Sequence, residues 1–259
     1  MGALWMVDVL LAGTESSSTC TLLTADGHRV IVDTGLSAQE AELLHALDVR
    51  GLVPADIDAV INTHLHVDHC GNNSIFPNAT VFMSQHEWEW TDAFYGAIFN
   101  SDTPETAMAT FYPQLASHGL KTRTIRNFAR LAKMFWDPAR LGREGQRRWL
   151  ETAPLPEGLQ LLASPGHTPH HVSIRVAAGE PVIVAGDAVL TEVDGAAVTT
   201  MIPFSREQFA ATRHALLNHG YRIVPGHGAA FVPQTGSVTL ESPRTPPDAM
   251  RPAARTFPR

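Results

Sequence analysis

The chain has 259 residues and a formal net charge of −7, with 44% apolar and 17% charged residues. This composition is ordinary for a globular enzyme, and the length is enough to bury a large core in one domain or in two closely packed halves. The acidic balance excludes a chain built wholly for nucleic acid, although a local basic patch is compatible with it. Two cysteines, Cys20 and Cys70, make no disulfide framework, so we expect a cytoplasmic protein.

The first part of the chain combines several strands with one helix. Short apolar runs that end at glycine or polar residues predict strands at 4–11, 19–24, 29–33, 58–62 and 80–84. A helix is predicted from Ser37, because Glu40 completes a capping box and apolar residues then recur at helical spacing. The apolar run at 3–13 is too short to cross a bilayer and lacks a basic leader, so no contact with a membrane is expected.

The segment 86–150 has a helical pattern, and we predict an inserted helical cap without strands. We expect its aromatic first part to contribute to the wall of a substrate pocket through Trp88, Trp90, Phe94, Tyr95 and Phe99. Core packing of the insert is the alternative for these rings. The second part, 121–148, holds nine of the 19 lysine and arginine residues, and it is either a solvated helix face or a surface for phosphates.

The last part returns to strands and ends in a tail. Strands are predicted at 159–163, 171–176, 181–185 and 221–224, with a helix at 205–219 before the last of them. We assign residues 1–241 to one domain that includes the insert. Residues 242–259 are rich in proline and arginine with few apolar anchors, and this composition predicts a disordered or loosely docked tail.

Four side chains that can bind metal follow the predicted strand 58–62, namely His64, His66, Asp68 and His69. Alternate side chains of an extended segment point the same way, so we expect His64, His66 and Asp68 to converge. His69 is expected to turn in where the chain bends. Imidazole together with carboxylate suits zinc, iron, manganese or cobalt rather than calcium, which prefers oxygen ligands.

Three later strand ends each offer one further metal-binding side chain: His167, Asp187 and His227. Each directly follows a glycine, which allows the backbone to turn tightly and approach a metal closely. The total of five histidines and two aspartates exceeds the coordination number of one ion. Two ions that share a bridging aspartate use all seven side chains.

These motifs, preceded by Asp33 in Asp33-Thr34-Gly35, resemble the metallo-β-lactamase superfamily of binuclear metal hydrolases over about residues 4–232. The resemblance implies an α+β fold, an αββα four-layer sandwich in which two sheets lie face to face with helices outside. It implies that one metal is held by His64, His66 and His167, the other by Asp68, His69 and His227, with Asp187 bridging. It also implies that Asp33 and His171 support the ligands.

Details of the motifs narrow the class within the superfamily. Gly166-His167-Thr168-Pro169-His170-His171 is similar to the lactonase and glyoxalase-II-like thioesterase branches, except that His170 stands where they usually have glycine. Asp187 stands where β-lactamases of the first subclass carry a cysteine ligand, which disfavours antibiotic hydrolysis. Acyl-homoserine lactonases carry a tyrosine at the position of Leu190, so we place Leu190 in the substrate pocket.

The resemblance implies hydrolysis of a small ester, lactone or thioester by a hydroxide that bridges two divalent ions. Zinc is expected first, with iron and manganese as alternatives, and Asp68 is the expected catalytic proton acceptor. The substrate is expected to be a small molecule with an apolar part, and a homodimer stays an open alternative. Two other functions stay open: a phosphodiesterase or nuclease that binds phosphates through 121–148, and a metal-bearing interaction protein without catalysis.

Overall fold

The computed structural model describes residues 4–112, 122–193 and 203–233. Six strands form one sheet in chain order: β1 (Met6–Leu11), β2 (Cys20–Ala25), β3 (His28–Val32), β4 (Ala59–Ile61), β5 (Thr80–Met83) and β6 (Arg147–Trp149). The first three strands pair antiparallel, and β3 to β6 pair parallel. Because parallel strands end on the same side, β3, β4 and β5 deliver their carboxyl ends to one edge of the sheet.

The second sheet has four strands in the order β10 (Arg222–Pro225), β9 (Val182–Gly186), β8 (Val172–Val176) and β7 (Leu159–Ala163). β7 and β8 pair antiparallel, as do β8 and β9, whereas β9 and β10 are parallel. This topology brings the ends of β9 and β10 to the same edge as the loop between β7 and β8.

Alternation along the strands divides the apolar side chains between separate cores. Ile31 packs in the cluster with the helices α1 to α5, whereas its neighbours Val30 and Val32 pack against Ile174 and Val184 of the other sheet. The helices in that outer layer are α1 (Glu40–Asp48), α2 (Val67–Cys70), α3 (Gln85–Phe99), α4 (Pro104–Phe111) and α5 (Thr122–Phe135).

The outer face of the second sheet is covered by α6 (Arg206–Leu217), whose Leu216 and Leu217 pack with Ile183 and Ile223. Helix, sheet, sheet and helix therefore follow one another, and the predicted αββα sandwich is confirmed. All nine predicted strands are present within about two residues of their expected bounds. The first helix begins at Glu40 rather than Ser37, because a 3-10 turn at Ser37–Gln39 precedes it.

The prediction that 86–150 contains no strand was wrong at its end. Arg147–Trp149 pairs parallel with Val81–Met83 and extends the first sheet by one strand. Two arginines in a three-residue run give no alternating apolar signal, so only the backbone pairing with β5 makes this segment a strand. The helical part of the insert is α3 to α5, and the tail 242–259 lies outside the described residues. Among the residues described, no helix combines the length and the apolarity that crossing a membrane requires.

Candidate metal centre

All seven predicted ligands meet at the edge shared by the two sheets. The segment after β4 carries His64 to His69, the loop between β7 and β8 carries His167, and the ends of β9 and β10 carry Asp187 and His227. Their ligand atoms form two groups, each with all its atoms within 4.8 Å of one another. Residues separated by more than 150 positions therefore form one cluster because the topology places their strand ends together.

The first group contains His64, His66, His167 and Asp187. His66 Nδ1 lies 3.0 Å from His64 Nε2 and 2.9 Å from His167 Nε2. His167 Nε2 in turn lies 3.2 Å from Asp187 Oδ2. Three imidazole nitrogens and one carboxylate oxygen thus converge on a common point.

The second group contains Asp68, His69 and His227. His69 Nε2 and His227 Nε2 lie 3.2 Å and 3.3 Å from Asp187 Oδ1, the carboxylate oxygen that faces away from the first group. Asp68 Oδ2 lies 3.6 Å from His227 Nε2. The two oxygens of Asp187 therefore face different groups, which is the arrangement that a bridging ligand needs.

The chemistry of the cluster fits divalent metal ions. His69 Nε2, His227 Nε2 and Asp187 Oδ1 are buried and make no hydrogen bond within the described part of the chain, although the nitrogens lie within 3.3 Å of the oxygen. Buried polar atoms without partners are costly, and a cation ligated by all three would satisfy them together. Imidazole nitrogen with carboxylate oxygen is the donor set of zinc and similar divalent ions.

The second ring nitrogen of four histidines is fixed by the protein. These hydrogen bonds join His64 Nδ1 to Thr63 Oγ1 at 3.1 Å, His66 Nε2 to Tyr112 Oη at 3.1 Å, His69 Nδ1 to Asp33 Oδ2 at 2.8 Å and His227 Nδ1 to the Thr14 carbonyl at 2.6 Å. A partner on one nitrogen orients the ring and leaves the other nitrogen for a metal.

Asp33 organises the loop that carries the first histidines. Its Oδ1 accepts the Thr63 backbone N–H at 2.8 Å, and its Oδ2 accepts the Thr63 hydroxyl at 2.7 Å. The same Oδ2 contacts His69, so one carboxylate connects the start and the end of the ligand loop. Asp33 has φ of +57°, a left-handed conformation that costs energy in a residue other than glycine and recurs at functional sites.

His171 supports Asp187 through the backbone and belongs to neither ligand group. Its Nε2 accepts the Asp187 backbone N–H at 3.1 Å, and its Nδ1 lies 2.8 Å from Ser164 Oγ. Because Nε2 is the acceptor, Nδ1 carries the hydrogen and donates it to the serine. His171 therefore fixes the backbone from which the Asp187 side chain reaches the metal groups.

The expectation that Asp68 converges with His64 and His66 on one side was wrong. Val67–Cys70 is a helical turn rather than extended chain, with His66 at its N-cap. Side chains in a helical turn do not alternate, so Asp68 turns toward His227 in the second group. The family resemblance instead implied that Asp68 belongs with His69 and His227, and the structure shows the same group.

Gly226, which directly precedes His227, lies where there is no room for a side chain. A Cβ atom on Gly226 would lie 1.9 Å from Asp187 Oδ1, well inside the contact distance of the two atoms. The absence of a side chain therefore lets the end of β10 pass directly against the Asp187 carboxylate. This is the close approach that the glycine before His227 predicts.

Burial and charge set the protonation of the cluster. Burial lowers the pKa of His64 and His167 well below the usual range and lowers the pKa of His66 to about 4. Burial also opposes charge on His227, but the Asp187 carboxylate outweighs it and raises the pKa of His227 to about 9. Burial would raise the pKa of Asp187, yet His227 and the neighbouring histidines hold it well below its usual value. Asp187 is therefore an ionised acceptor of a cation.

A cavity of about 380 Å³ lies against the metal groups. The cluster side of its wall contains His66, Asp68, His167 and His227. Helices α3 to α5 contribute mostly apolar side chains to the opposite wall, namely Phe94, Tyr95, Ile98, Met108, Phe128, Leu131, Ala132 and Phe135, and Tyr112 follows α4. This volume and this lining suit a small ligand with an apolar part.

Only Phe94 and Tyr95 of the six predicted pocket residues line this cavity. The prediction was wrong for Trp88, whose ring lies 5.2 Å from the Arg147 guanidinium, and for Trp90, which packs behind the wall with its ring stacked on Phe94. Aromatic residues occur all around α3, so their sequence spacing does not distinguish the face that meets the cavity.

The prediction was also wrong for Phe99 and Leu190. Phe99 is the last residue of α3 and is 45% exposed. Leu190 is buried, and its backbone carbonyl accepts the His227 N–H at 2.8 Å, so it shapes the turn beside a ligand instead of the cavity wall.

The described basic side chains of 121–148 lie outside the cavity wall, although apolar residues of the same segment line it; Lys121 falls outside the described residues. Most of its arginines are engaged within the protein. These contacts join Arg126 to Glu105, Arg140 to Glu40, Arg143 to the Pro77 carbonyl, Arg147 to the Gly142 carbonyl and Arg148 to the Gly145 carbonyl. Arg123, Arg130 and Lys133 are exposed on α5.

Three supporting residues were not found from the sequence. Thr63 directly precedes His64 and had a local signal, namely its position between a strand and a ligand. Tyr112 and Glu87 had no such signal, because they contact His66 and Thr168 across 46 and 81 positions of the chain. Only the packing of the cap on the sandwich brings them to the site.

Comparisons with known proteins agree with this geometry. The profile described as "Metallo-beta-lactamase superfamily" matches residues 13–227. Metallo-beta-lactamase domain-containing protein 1 from Xenopus laevis is 29% identical over 238 residues, which cover 87% of this chain and 80% of that protein.

Two solved structures have a similar fold. A metallo-beta-lactamase family protein from Thermus thermophilus has a TM-score of 0.62 at 22% identity, covering 88% of this chain and 75% of that one. AidC, a dizinc quorum-quenching lactonase in complex with a product, has a TM-score of 0.56 at 18% identity, covering 81% of this chain and 72% of that one. At these identities, the likeness shows a shared fold.

Proposed function

This chain belongs to the metallo-beta-lactamase superfamily, and from that premise we propose that it is a metal-dependent hydrolase of a small ester, lactone or thioester. The observation that carries the proposal is the cluster of seven metal-binding side chains, four of which open onto an apolar cavity. Hydrolysis of such a substrate needs a buried cation site next to an apolar surface that binds the acyl group.

We propose that the site holds two divalent ions, with zinc expected first. The residues that would hold one ion are His64, His66 and His167, those for the other are Asp68, His69 and His227, and Asp187 would contact both. When bound, such ions activate water as a nucleophile and polarise the substrate oxygen. The support for two ions is that Asp187 presents one oxygen to each group.

The catalytic proton acceptor that we propose is Asp68. Its side chain is 19% exposed and lines the cavity, so it can meet both a water molecule and a leaving group. Cys70 offers no alternative nucleophile, because it is buried and donates to the His66 carbonyl at 3.2 Å. Burial also raises the pKa of its thiol, which keeps it protonated and unreactive.

The cavity favours a substrate with an acyl chain of modest length. Apolar area removed from water contributes about 25 cal/mol per Å² to binding, and the α3–α5 wall supplies that area. AidC, which has this fold, is a lactonase, and we propose lactones among the substrates on the basis of that likeness. The charged side chains of the described lining include Glu15 and Asp68 and no lysine or arginine, which disfavours a polyanionic substrate.

The positions of the basic side chains weigh against a phosphodiester substrate. Among the described residues, no lysine or arginine lines the cavity, and five arginines of 121–148 already contact the protein. An interaction protein without catalysis would have no need for a cavity that opens on the metal groups. We further propose a reducing compartment such as the cytoplasm, because both cysteines are free and buried.

A substrate panel on metal-defined protein tests the proposal. Zinc-loaded and chelator-treated protein would be assayed with a hexanoyl ester, a hexanoyl thioester, a six-carbon lactone and an aryl phosphodiester. We expect metal-dependent hydrolysis of at least one carboxyl substrate, which Asp187→Ala abolishes. Preferential cleavage of the phosphodiester, or no turnover with zinc bound, would overturn the proposal.

A further inference from the structure

Tyr112 brings a hydroxyl group from the cap to the metal cluster. It follows α4 directly, is 5% exposed and lines the cavity. Its Oη lies 3.1 Å from His66 Nε2. The neighbouring wall side chains Phe94, Ile98 and Met108 are apolar, so this hydroxyl is a polar group in an apolar surface beside the ligands.

The direction of this hydrogen bond follows from the other nitrogen of the ring. His66 Nδ1 faces His64 Nε2 and His167 Nε2 at 3.0 Å and 2.9 Å, so Nδ1 is the atom turned toward a metal. A neutral imidazole with Nδ1 as a ligand carries its hydrogen on Nε2 and donates it to Tyr112. The hydroxyl thus accepts from His66, and its own hydrogen is available to another acceptor.

The ring of Tyr112 is held firmly by its neighbours. It meets Trp90 and Phe94 edge to face, at centroid distances of 5.5 Å and 5.4 Å. The backbone N–H donates to the Met108 carbonyl at 2.8 Å. Within the part of the chain that the structure describes, His66 is the hydrogen-bond partner of Oη, and nothing described accepts the hydroxyl hydrogen. A fixed donor without an acceptor faces a cavity for the substrate.

We propose that Tyr112 donates a hydrogen bond to the oxygen of the substrate group that is attacked, and that the cap thereby supplies a polar contact to the reaction centre. The inference rests on the proposed hydrolase function. A rigid donor in a cavity with an apolar wall needs no rearrangement when negative charge develops on that oxygen, and such donors contribute strongly to catalysis. No proton is transferred in this role, so the tyrosine stays neutral throughout.

The test compares zinc-loaded wild type with Tyr112→Phe and uses hexanoate as the probe of an acyl product. Phenylalanine keeps the ring packing and removes only the hydroxyl group. The matched control is Tyr221→Phe, because that tyrosine stacks on His219 and lies outside the cavity wall. Zinc affinity by chelator competition, hexanoate affinity by calorimetry, and kcat and KM on the best substrate would be measured for all three proteins.

We expect Tyr112→Phe to bind hexanoate roughly tenfold more weakly at saturating zinc. We also expect kcat to fall roughly 100-fold with little change in KM. If both losses disappear once zinc is saturating, Tyr112 acts only through His66 and the proposal is overturned. Unchanged hexanoate binding, or no hexanoate binding by zinc-loaded wild type, overturns it as well. If wild type binds hexanoate through the hydroxyl but hydrolyses nothing on the panel, the proposed function fails while the contact stands.

Discussion

Glu87 Oε2 accepts a hydrogen bond of 2.9 Å from the Thr168 hydroxyl, and this contact ties the first turn of α3 to the loop that carries His167. The same oxygen accepts the His170 backbone N–H at 3.2 Å. Glu87 is 1% exposed, so its carboxylate is a buried acceptor between the cap and a ligand loop. The cap is therefore joined to the sheet edge that carries the metal-binding cluster by specific polar contacts as well as by apolar packing.

Removing this carboxylate should destabilise the protein. Glu87→Ala leaves the buried Thr168 hydroxyl and the His170 N–H without their acceptor, and we expect the free energy of unfolding to fall by about 1–3 kcal/mol. Urea unfolding of the zinc-loaded protein below about pH 7, where the raised pKa of Glu87 leaves its contribution to stability in place, would measure it. Glu89→Ala is the matched control, because that side chain on the same helix is largely exposed. Equal stability of the two variants would show that the buried contacts contribute nothing.

Burial raises the pKa of Glu87 from its ordinary value of 4.5 to about 7. The folded state therefore holds this proton more tightly than the unfolded chain, so the contribution of Glu87 to stability is full below about pH 4.5 and is lost as the pH rises through 7. The loss amounts to about 3 kcal/mol. Glu87→Gln cannot titrate, so the difference between wild type and this variant should change across that window in denaturation series. A constant difference would contradict the raised pKa.

Asp33 should control metal affinity without touching the metal. Asp33→Asn keeps a residue that tolerates positive φ but weakens the acceptor for His69 and Thr63, and we expect zinc affinity to fall about 10–100-fold. Asp26→Asn is the control, because Asp26 also has positive φ, at +48°, but is exposed in a turn. Competition with a chelator measures both variants. A similar loss in the control would point to backbone strain instead of the hydrogen bonds.

The cluster of metal-binding side chains was predictable because each member has a local signature. His167, Asp187 and His227 each follow a strand and a glycine, and the topology of the sandwich alone brings such strand ends together. The layers were predictable for the same reason, since strand alternation such as Val30, Ile31 and Val32 records which side chains face each core.

The cap was less predictable, because its contacts depend on tertiary packing. α3 carries aromatic residues on several faces, and nothing local marks Phe94 as part of the cavity wall and Phe99 as exposed. β6 exists because β5 offers it backbone partners, despite two arginines in three residues. Tyr112 reaches His66 only because the C-terminal end of α4 packs over the sheet edge that carries the cluster.

Asp187 and His171 should differ in their effect on the metals. Asp187→Ala removes a carboxylate that faces both ligand groups, so we expect two zinc ions per chain in wild type and loss of both, together with activity, in the variant. His171→Ala removes only the acceptor for the Asp187 backbone N–H, and we expect a loss of affinity or activity of about 10–100-fold. Elemental analysis of dialysed protein decides the stoichiometry. One ion or none in saturated wild type would contradict the binuclear assignment. A larger loss of metal or activity in His171→Ala than in Asp187→Ala would mean that His171 is the ligand and Asp187 the supporting residue.

We expect the side chains of the cap to set the preference for acyl-chain length. Substitutions of two phenylalanines test which of these side chains contact the acyl chain. Phe128 of α5 lines the cavity, so Phe128→Ala removes apolar contact worth about 1 kcal/mol to a long chain, which raises KM about fivefold. We expect the short acyl group of an acetyl ester to make little contact with Phe128, so its KM should be nearly unchanged. KM would be measured for acetyl, butanoyl, hexanoyl and octanoyl esters of one alcohol.

Phe99→Ala is the matched variant, because Phe99 is an aromatic cap residue that is exposed and lies outside the wall. In Phe99→Ala, we expect the ratio of the variant's KM to the wild-type KM to stay constant as the acyl chain lengthens. In Phe128→Ala, we expect this ratio to rise with chain length. Equal slopes would mean that the two changes act through the stability of the cap as a whole. A graded rise in Phe99→Ala with a constant ratio in Phe128→Ala would place the acyl chain along the end of α3, as the aromatic spacing in the sequence suggests. The cavity would then not be the binding site of the acyl chain.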